Sequence, residues 1–277
     1  MHCFSQPLSC IPFQNHEMRA TYFGANGWQL GFPDLNVLLD PWLVGSLCFG
    51  NSSWFFESRL PQDWPIPPAV DLVLLTQGLP DHAHPPTLGK LERSIPVVGS
   101  AAAAQVALTL GFTQVTTLAP GQSHQHTSGS GAPLTITATA GAAVPGQENG
   151  FLLQHPDGNL YVEPHGFLDP AMAPRKLDAV ITPVVDLGLP LVGAFVRGQT
   201  VLPQLLERFQ PRWVLASTAG GQTRNSGLLS KLLWTRGSIA TATALVNSRS
   251  PETQLLDPEP GRCYPLTRSV QGYKPRP

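Results

Sequence analysis

The sequence predicts an α/β fold: two β-sheets packed face to face with helices on their outer faces, a four-layer αβ/βα sandwich. Three observations predict it. First, 29 prolines and 26 glycines among 277 residues cut the chain into many short runs, the pattern of short strands with frequent turns. Second, short apolar runs recur in both halves and are followed in each half by helical segments, so both sheets carry outer helices. Third, 42% of the residues are apolar and only 13% charged, which excludes a disordered chain and supplies a substantial core. No linker marks an internal boundary. The body of the domain is expected over residues 18–246. Residues 1–17 read as a loose tail or an over-extended start before Met18, and 247–277 as a proline-rich tail lying over the surface.

Taken in order, Arg19–Phe23 reads as a strand, Gly24–Gly27 as a turn, and Trp28–Leu30 and Asn36–Asp40 as the next two strands. Pro41-Trp42-Leu43 ends the pairing. Residues 45–68 form a long connection centred on Trp54-Phe55-Phe56, and such connections are functional or mobile when they occur in compact domains. Leu72–Leu75 is a buried strand, Pro86–Leu91 a short helix and Pro96–Gly99 a strand. Ala101–Leu110 is helical by composition and stops at Gly111, a suitable C-terminal cap. Gln114–Leu118, Leu134–Ala138, Gly150–Gln154 and Leu160–Glu163 follow as strands. Ala179–Val184 and Trp213–Ala216 are strands around a helix over Val201–Phe209, and Leu228–Leu233 is a further helix.

A net charge of −1 and the lack of any Lys/Arg-rich run give no support for a nucleic-acid-binding face. No apolar stretch reaches the roughly 18–20 residues of a membrane span. Cys3, Cys10, Cys48 and Cys263 are scattered and read as reduced, structural thiols. The N-terminal segment lacks the features of a signal peptide, which makes the cytoplasm the expected compartment. Oligomeric state is not legible.

Chemistry concentrates at two strand ends. Thr76-Gln77-Gly78-Leu79-Pro80-Asp81-His82-Ala83-His84 follows the buried run Val70–Leu75, and Tyr161-Val162-Glu163-Pro164-His165-Gly166 follows the Leu160 strand. Imidazole nitrogens and carboxylate oxygens are the usual ligands of a catalytic divalent ion, which keeps three protein ligands and one open position. Asp81, His82, His84, Glu163 and His165 are the candidate donors at these two strand ends, with Gln77 as an amide that could hold a substrate carbonyl. Without a metal, the same imidazoles and carboxylates still allow general acid–base work.

The first of these segments resembles the signature of the metallo-β-lactamase superfamily, in which a buried strand ends in Thr-His-x-His-x-Asp-His. Gln77 and Leu79 stand at the first two histidine positions, while Asp81 and His82 are kept. This implies a site of Asp81 and His82 completed by His165 or Glu163, with His84 near and Gln77 orienting substrate or water; Asp81, His82 and His165 are the expected set. The resemblance extends over most of residues 19–221. Tyr22–Asn26 through Asp40-Pro41-Trp42-Leu43, the Gly121-Gln122 turn and Tyr161–Gly166 are similar to the ascorbate-phosphate-lactonase-like branch. The combination of Thr-Gln-Gly-x-x-Asp-His with Glu-Pro-His-Gly resembles a variant common in cyanobacteria and plastid-bearing organisms. This likeness implies the metallo-β-lactamase type of sandwich and a hydrolytic site. It also implies loss of the first metal position, since the third histidine's place near Ala140–Ala143 is apolar and Ser217-Thr218 stand where the last one belongs. Asp40 is implied to support the metal loops from behind.

The resulting expectation is a divergent hydrolase with at most one metal, Zn²⁺ or else Mn²⁺ or Fe²⁺, acting on a small ester, lactone or phosphoester. The alternative is a metal-free, non-catalytic relative that binds a small molecule or a protein in the same cleft. The two differ in geometry: an enzyme brings Asp81, His82 and His165 within about 5 Å of one another. In the alternative they diverge, and Leu79 with Ala143 fills the first site. His124 and His126 read as solvated residues of a polar loop, and His155 as an exposed strand-end residue.

Overall fold

The computed structural model describes residues 17–50, 52–143 and 146–266. The chain opens with an antiparallel meander of β1 (Arg19–Gly24), β2 (Gly27–Phe32) and β3 (Leu35–Leu39). A short hairpin, β4 (Ser46–Cys48) with β5 (Glu57–Arg59), occupies part of the long connection. Next come β6 (Leu72–Leu75), α1 (Pro85–Leu88), β7 (Val97–Gly99), α2 (Ala101–Thr109) and β8 (Val115–Thr117). Strands β3, β6, β7 and β8 run parallel. At the start of α2 the Ser100 hydroxyl accepts the N–H of Ala103, the bond expected of a serine cap.

The second half begins with β9 (Ser123–His126), β10 (Leu134–Ala143), β11 (Gln147–His155), β12 (Gly158–Val162) and β13 (Ala179–Thr182). It continues with β14 (Asp186–Leu189), β15 (Gly193–Arg197), α3 (Gly198–Phe209), β16 (Trp213–Ala216) and β17 (Arg224–Ser226). The last elements are α4 (Leu228–Leu232), β18 (Trp234–Arg236), α5 (Ile239–Arg249), β19 (Gln254–Leu256) and β20 (Cys263–Pro265). Two seven-stranded sheets result, in the orders β20-β1-β2-β3-β6-β7-β8 and β19-β16-β13-β12-β11-β10-β9. Two three-stranded sheets, β15-β14-β18 and β17-β5-β4, stand beside them.

The layers follow from the two-residue period of the strands. Leu72 and Leu74 face the other sheet, in one core with Trp28, Phe32, Ile136, Phe151 and Leu215. Val73 and Leu75 face outward, packed with Leu88, Ala103 and Ala107 from the helices. On the second sheet Val180 and Val214 face outward against Leu202, Leu205 and Phe209 of α3 and Val246 of α5. This is the expected αβ/βα sandwich.

Three readings of the sequence are corrected. Residues 254–256 and 263–265 do not lie over the surface: they pair with β16 and β1 and form the edges of the two sheets. The boundary at residue 246 also falls inside α5. Edge strands of three residues flanked by prolines carry little periodicity, so composition misread them as a tail. His124 and His126 lie on strand β9, not in a loop. His155 is buried against Phe32, with Nδ1 3.2 Å from an Asp157 carboxylate oxygen. The expected N-terminal segment, apart from Glu17, lies outside the described residues, as do Cys3, Cys10 and residues 267–277. Cys48 and Cys263 are both half-buried.

Candidate metal centre

The centre sits where the C-terminal ends of β3, β6 and β12 meet, the edge at which open parallel sheets place their ligands. Asp40 follows β3 in a left-handed conformation (φ 40°) that Asp tolerates. Its buried carboxylate accepts the Thr76 N–H at 2.8 Å and the Thr76 hydroxyl at 2.5 Å. It also lies 2.8 Å from Nδ1 of His82, which is itself 2.9 Å from the Thr76 hydroxyl oxygen. A proton on Nδ1 is therefore held by Asp40, and Nε2 is the nitrogen turned to the cleft. That nitrogen lies 3.3 Å from Asp81 Oδ2 and 3.4 Å from the Asn26 amide nitrogen. Burial works against charging His82, but Asp81 and Asp40 together hold its pKa well above the ordinary range. Burial pushes Asp81 up, and the neighbouring imidazoles, His82 foremost, bring it below the usual carboxylate value.

The third group comes from the other sheet. His165 follows β12 and stacks beside His82, with ring centroids 5.2 Å apart. Its Nδ1 is 2.6 Å from Glu148 Oε2, while Glu148 Oε1 accepts the N–H of Ala142. Gly141 makes room for this carboxylate: a Cβ there would come within 2.4 Å of Glu148 Cγ. Both histidines thus have the inner nitrogen fixed by a buried carboxylate, the arrangement that sets tautomer and ring orientation in metal-binding histidines. One donor atom each of Asp81, His82 and His165 lies within 4.8 Å of the others, the one such group among the described residues. Asp81 Oδ1 and Asn26 Oδ1 are buried without a hydrogen-bond partner. Two orphaned buried oxygens are costly, and a cation or the water on it would satisfy them. The mixed N/O donor set suits Zn²⁺, Mn²⁺ or Fe²⁺.

His84 and Glu163 are not brought to this point. His84 is turned into the fold, with Nδ1 3.0 Å from the Thr87 hydroxyl and Nε2 3.2 Å from the Ser46 carbonyl. Glu163 spends both oxygens on the chain: one takes the Thr182 hydroxyl, the other the N–H groups of Gly166 and Phe167 at 2.6 and 2.8 Å. It builds the turn that presents His165. Gln77 is buried beside the centre in sequence, at 2% exposure. At the first metal position Leu79 is half-buried and Ala143 exposed, so they do not form a packed plug. Ser217 and Thr218 brace the β1–β2 turn: the Ser217 hydroxyl accepts the Trp28 indole N–H, and the Thr218 N–H donates to the Ala25 carbonyl.

Burial raises the Glu163 pKa to about 8, with the Glu148 charge adding to the effect and the bonds from Thr182, Phe167 and Gly166 opposing it. The folded protein therefore keeps a proton there that the unfolded chain releases above pH 4.5. Stability falls as pH rises from about 4.5 to about 8, and then levels. Glutamine mimics the protonated acid, donating toward Thr182 and accepting the two N–H groups. Glu163→Gln is expected to remove a loss of about 2–4 kcal/mol between pH 5 and pH 8. Urea unfolding of both metal-free proteins at the two pH values measures it, and parallel pH profiles would refute it.

The sequence reading missed Glu148, Asn26 and Thr76 as parts of the site. Glu148 carried no clear signal: Gly146-Gln147-Glu148-Asn149-Gly150 reads as a turn, and Glu148 stands near the start of β11. Asn26 sits in an ordinary turn and had none either.

A family model described as "Beta-lactamase superfamily domain" matches residues 19–217. Among solved structures the chain is similar to an isothiocyanate hydrolase from Delia radicum gut bacteria, at 18% identity over 89% of this chain and 98% of that one, with a TM-score of 0.64. It is also similar to Igni18, a metallo hydrolase from Ignicoccus hospitalis, at 16% identity over 90% and 97%, with a TM-score of 0.59. A third, the metallo-β-lactamase fold protein YhfI from Bacillus subtilis, shares 13% identity over 89% and 99%, with a TM-score of 0.57. At these identities the likeness speaks for the fold. Among curated proteins none matches.

Proposed function

The chain belongs to the beta-lactamase superfamily, and from that premise we propose that it is a hydrolase working with a single divalent metal held by Asp81, His82 and His165. The observation that carries this reading is the convergence of these three side chains within 4.8 Å, with Asp40 and Glu148 behind the two histidines. The convergence favours an enzyme over the non-catalytic alternative, in which the three would have diverged.

Bound there, a divalent ion supplies Lewis acidity, polarising the scissile group and making water a stronger acid. The protein's residues do the rest. Asp40 and Glu148 hold a proton on each Nδ1, so that each Nε2 offers its lone pair to the centre. Asp81 brings the negative charge that offsets a cation in a buried site. Asn26 and Gln77 offer amide groups to orient water or a substrate oxygen. The substrate class that fits is a small ester, lactone or phosphoester, entering between the loops after Leu75, Val162 and Ala216.

Metal content by mass spectrometry on untagged protein, beside an Asp81→Ala/His82→Ala variant, tests the reading. The expected result is about one metal per chain in the parent and none in the variant, with hydrolysis of a model ester, lactone or phosphodiester lost in parallel. Absence of stoichiometric metal from the parent after incubation with Zn²⁺, Mn²⁺ or Fe²⁺ would overturn it.

A further inference from the structure

Seven large apolar side chains are exposed among the described residues, and all but Leu108 and Phe167 lie on segments joined to one another. Trp54 is 71% exposed, Leu228 51% and Leu232 46%, while Leu191 and Val192 in the β14–β15 turn reach 109% and 73%. Singly exposed apolar residues are ordinary, but a connected set containing Trp is not. These are connected through the backbone. The Leu228 N–H at the start of α4 donates to the Trp54 carbonyl at 3.0 Å. Leu232, near the end of α4, leads directly into β18, whose Trp234 pairs with Gly188 of β14 close to the turn. The result is a ridge of projecting side chains running from Trp54 along α4 to Leu191.

The charge around this ridge is mainly positive; Glu57, which lies opposite Ser226, is paired with Arg59 at 3.1 Å. Residues 187–206 and 218–251 contain no Asp or Glu. Arg197, Arg224 and Lys231 are exposed there. Among the described residues none of these three pairs with a carboxylate, and Arg236 is paired with the buried Asp186. The chain as a whole has a net charge of −1, so this cationic character is local. Among the described residues no helix is long and apolar enough to cross a membrane.

We propose that this ridge docks the protein on an anionic lipid surface, with Trp54, Leu228, Leu232, Leu191 and Val192 entering the headgroup layer and Arg197, Arg224 and Lys231 facing the lipid phosphates. Trp is favoured at the membrane interface, where its ring is half apolar and half polar. Lys and Arg beside shallowly inserted apolar groups are drawn to anionic lipid. Projecting side chains on turn and helix suit insertion better than they suit a protein groove. The loop that carries α4 also closes on Ala25, next to Asn26 of the metal centre, so docking sets the cleft beside the lipid surface.

Flotation of the full chain with vesicles tests this, comparing pure phosphatidylcholine with a mixture holding roughly 30 mol % phosphatidylserine. Binding to the anionic vesicles alone is expected, and release at about 1 M salt, where the Debye length falls to about 3 Å. Trp54→Ala/Leu191→Ser should weaken partitioning at least about tenfold, and Lys231→Gln about fivefold. Both replace exposed side chains, so an unchanged unfolding midpoint is the control for folding. No binding to either vesicle, or equal binding to both, overturns the proposal. A dimer in light scattering that Leu191→Ser disperses would assign the ridge to a second copy and overturn it too.

Discussion

Asp40→Asn is expected to weaken divalent-metal binding by about 100-fold while lowering unfolding free energy by only about 1–2 kcal/mol. The separation follows from hydrogen-bond direction. The Thr76 N–H is an obligatory donor and takes whichever oxygen the side chain at 40 offers. In Asn that leaves the NH2 group facing His82 Nδ1, which must then accept. The single imidazole proton moves to Nε2, the atom that faces Asp81 and would carry the proposed metal. Asn keeps the volume and tolerates the left-handed backbone at this position, so folding suffers little. Asp40→Ala behaves differently, because it strands two buried Thr76 donors and His82 at once. Its expected cost is about 3–5 kcal/mol, or a melting temperature about 10 °C lower. Chelator-competition titration and urea unfolding read the two effects apart. An Asn variant that binds metal like the parent would remove Asp40 from the argument. In the parent, the two carboxylates beside His82 hold it protonated above its ordinary pKa, so metal uptake should release a proton and tighten as pH rises.

Glu148 is the second sensitive point, and its variants distinguish a metal-positioning residue from a structural one. Glu148→Ala removes the acceptor of both His165 Nδ1 and the Ala142 N–H and leaves a void under Gly141. It should cost about 2–4 kcal/mol and lower metal affinity about 10- to 100-fold. Glu148→Gln fills the space and can still accept from Ala142, which turns its NH2 toward His165. Stability should stay within about 1 kcal/mol of the parent while metal affinity falls about as far as in the alanine variant. If both variants titrate with metal as the parent does, His165 is not a ligand.

Much of this was legible in the sequence because it rests on local pattern. Leu72–Leu75 is bounded by polar residues and turn formers, so its strand is read at the observed limits. Ala101–Thr109 has a serine before it and a glycine after it, so its helix needed no tertiary information. Asp81 and His82 stand in a spacing that resembles a metal signature, and His165 follows a second strand end that carries both a carboxylate and an imidazole. His84 and Glu163 look equally good by spacing, and nothing local tells them apart from Asp81, His82 and His165. Their rejection depends on Thr87, Ser46, Thr182 and the backbone of Gly166 and Phe167, which only folding brings to them. Likewise Glu148 reaches the centre from β11 and Asn26 from the β1–β2 turn, at separations no window of sequence can span.

The sequence by itself determined the layers: periods of two and 3.6 residues, with Gly and Pro as punctuation, choose strands, helices and the faces they bury. It also determined the chemical type of the site, because donor atoms belong to residue types. Which donors converge, which nitrogen of each histidine is offered, and which short proline-rich segments complete the sheets were decided by tertiary structure alone. Those outcomes depend on hydrogen bonds between distant parts of the chain, whose partners exist only once the two sheets have packed.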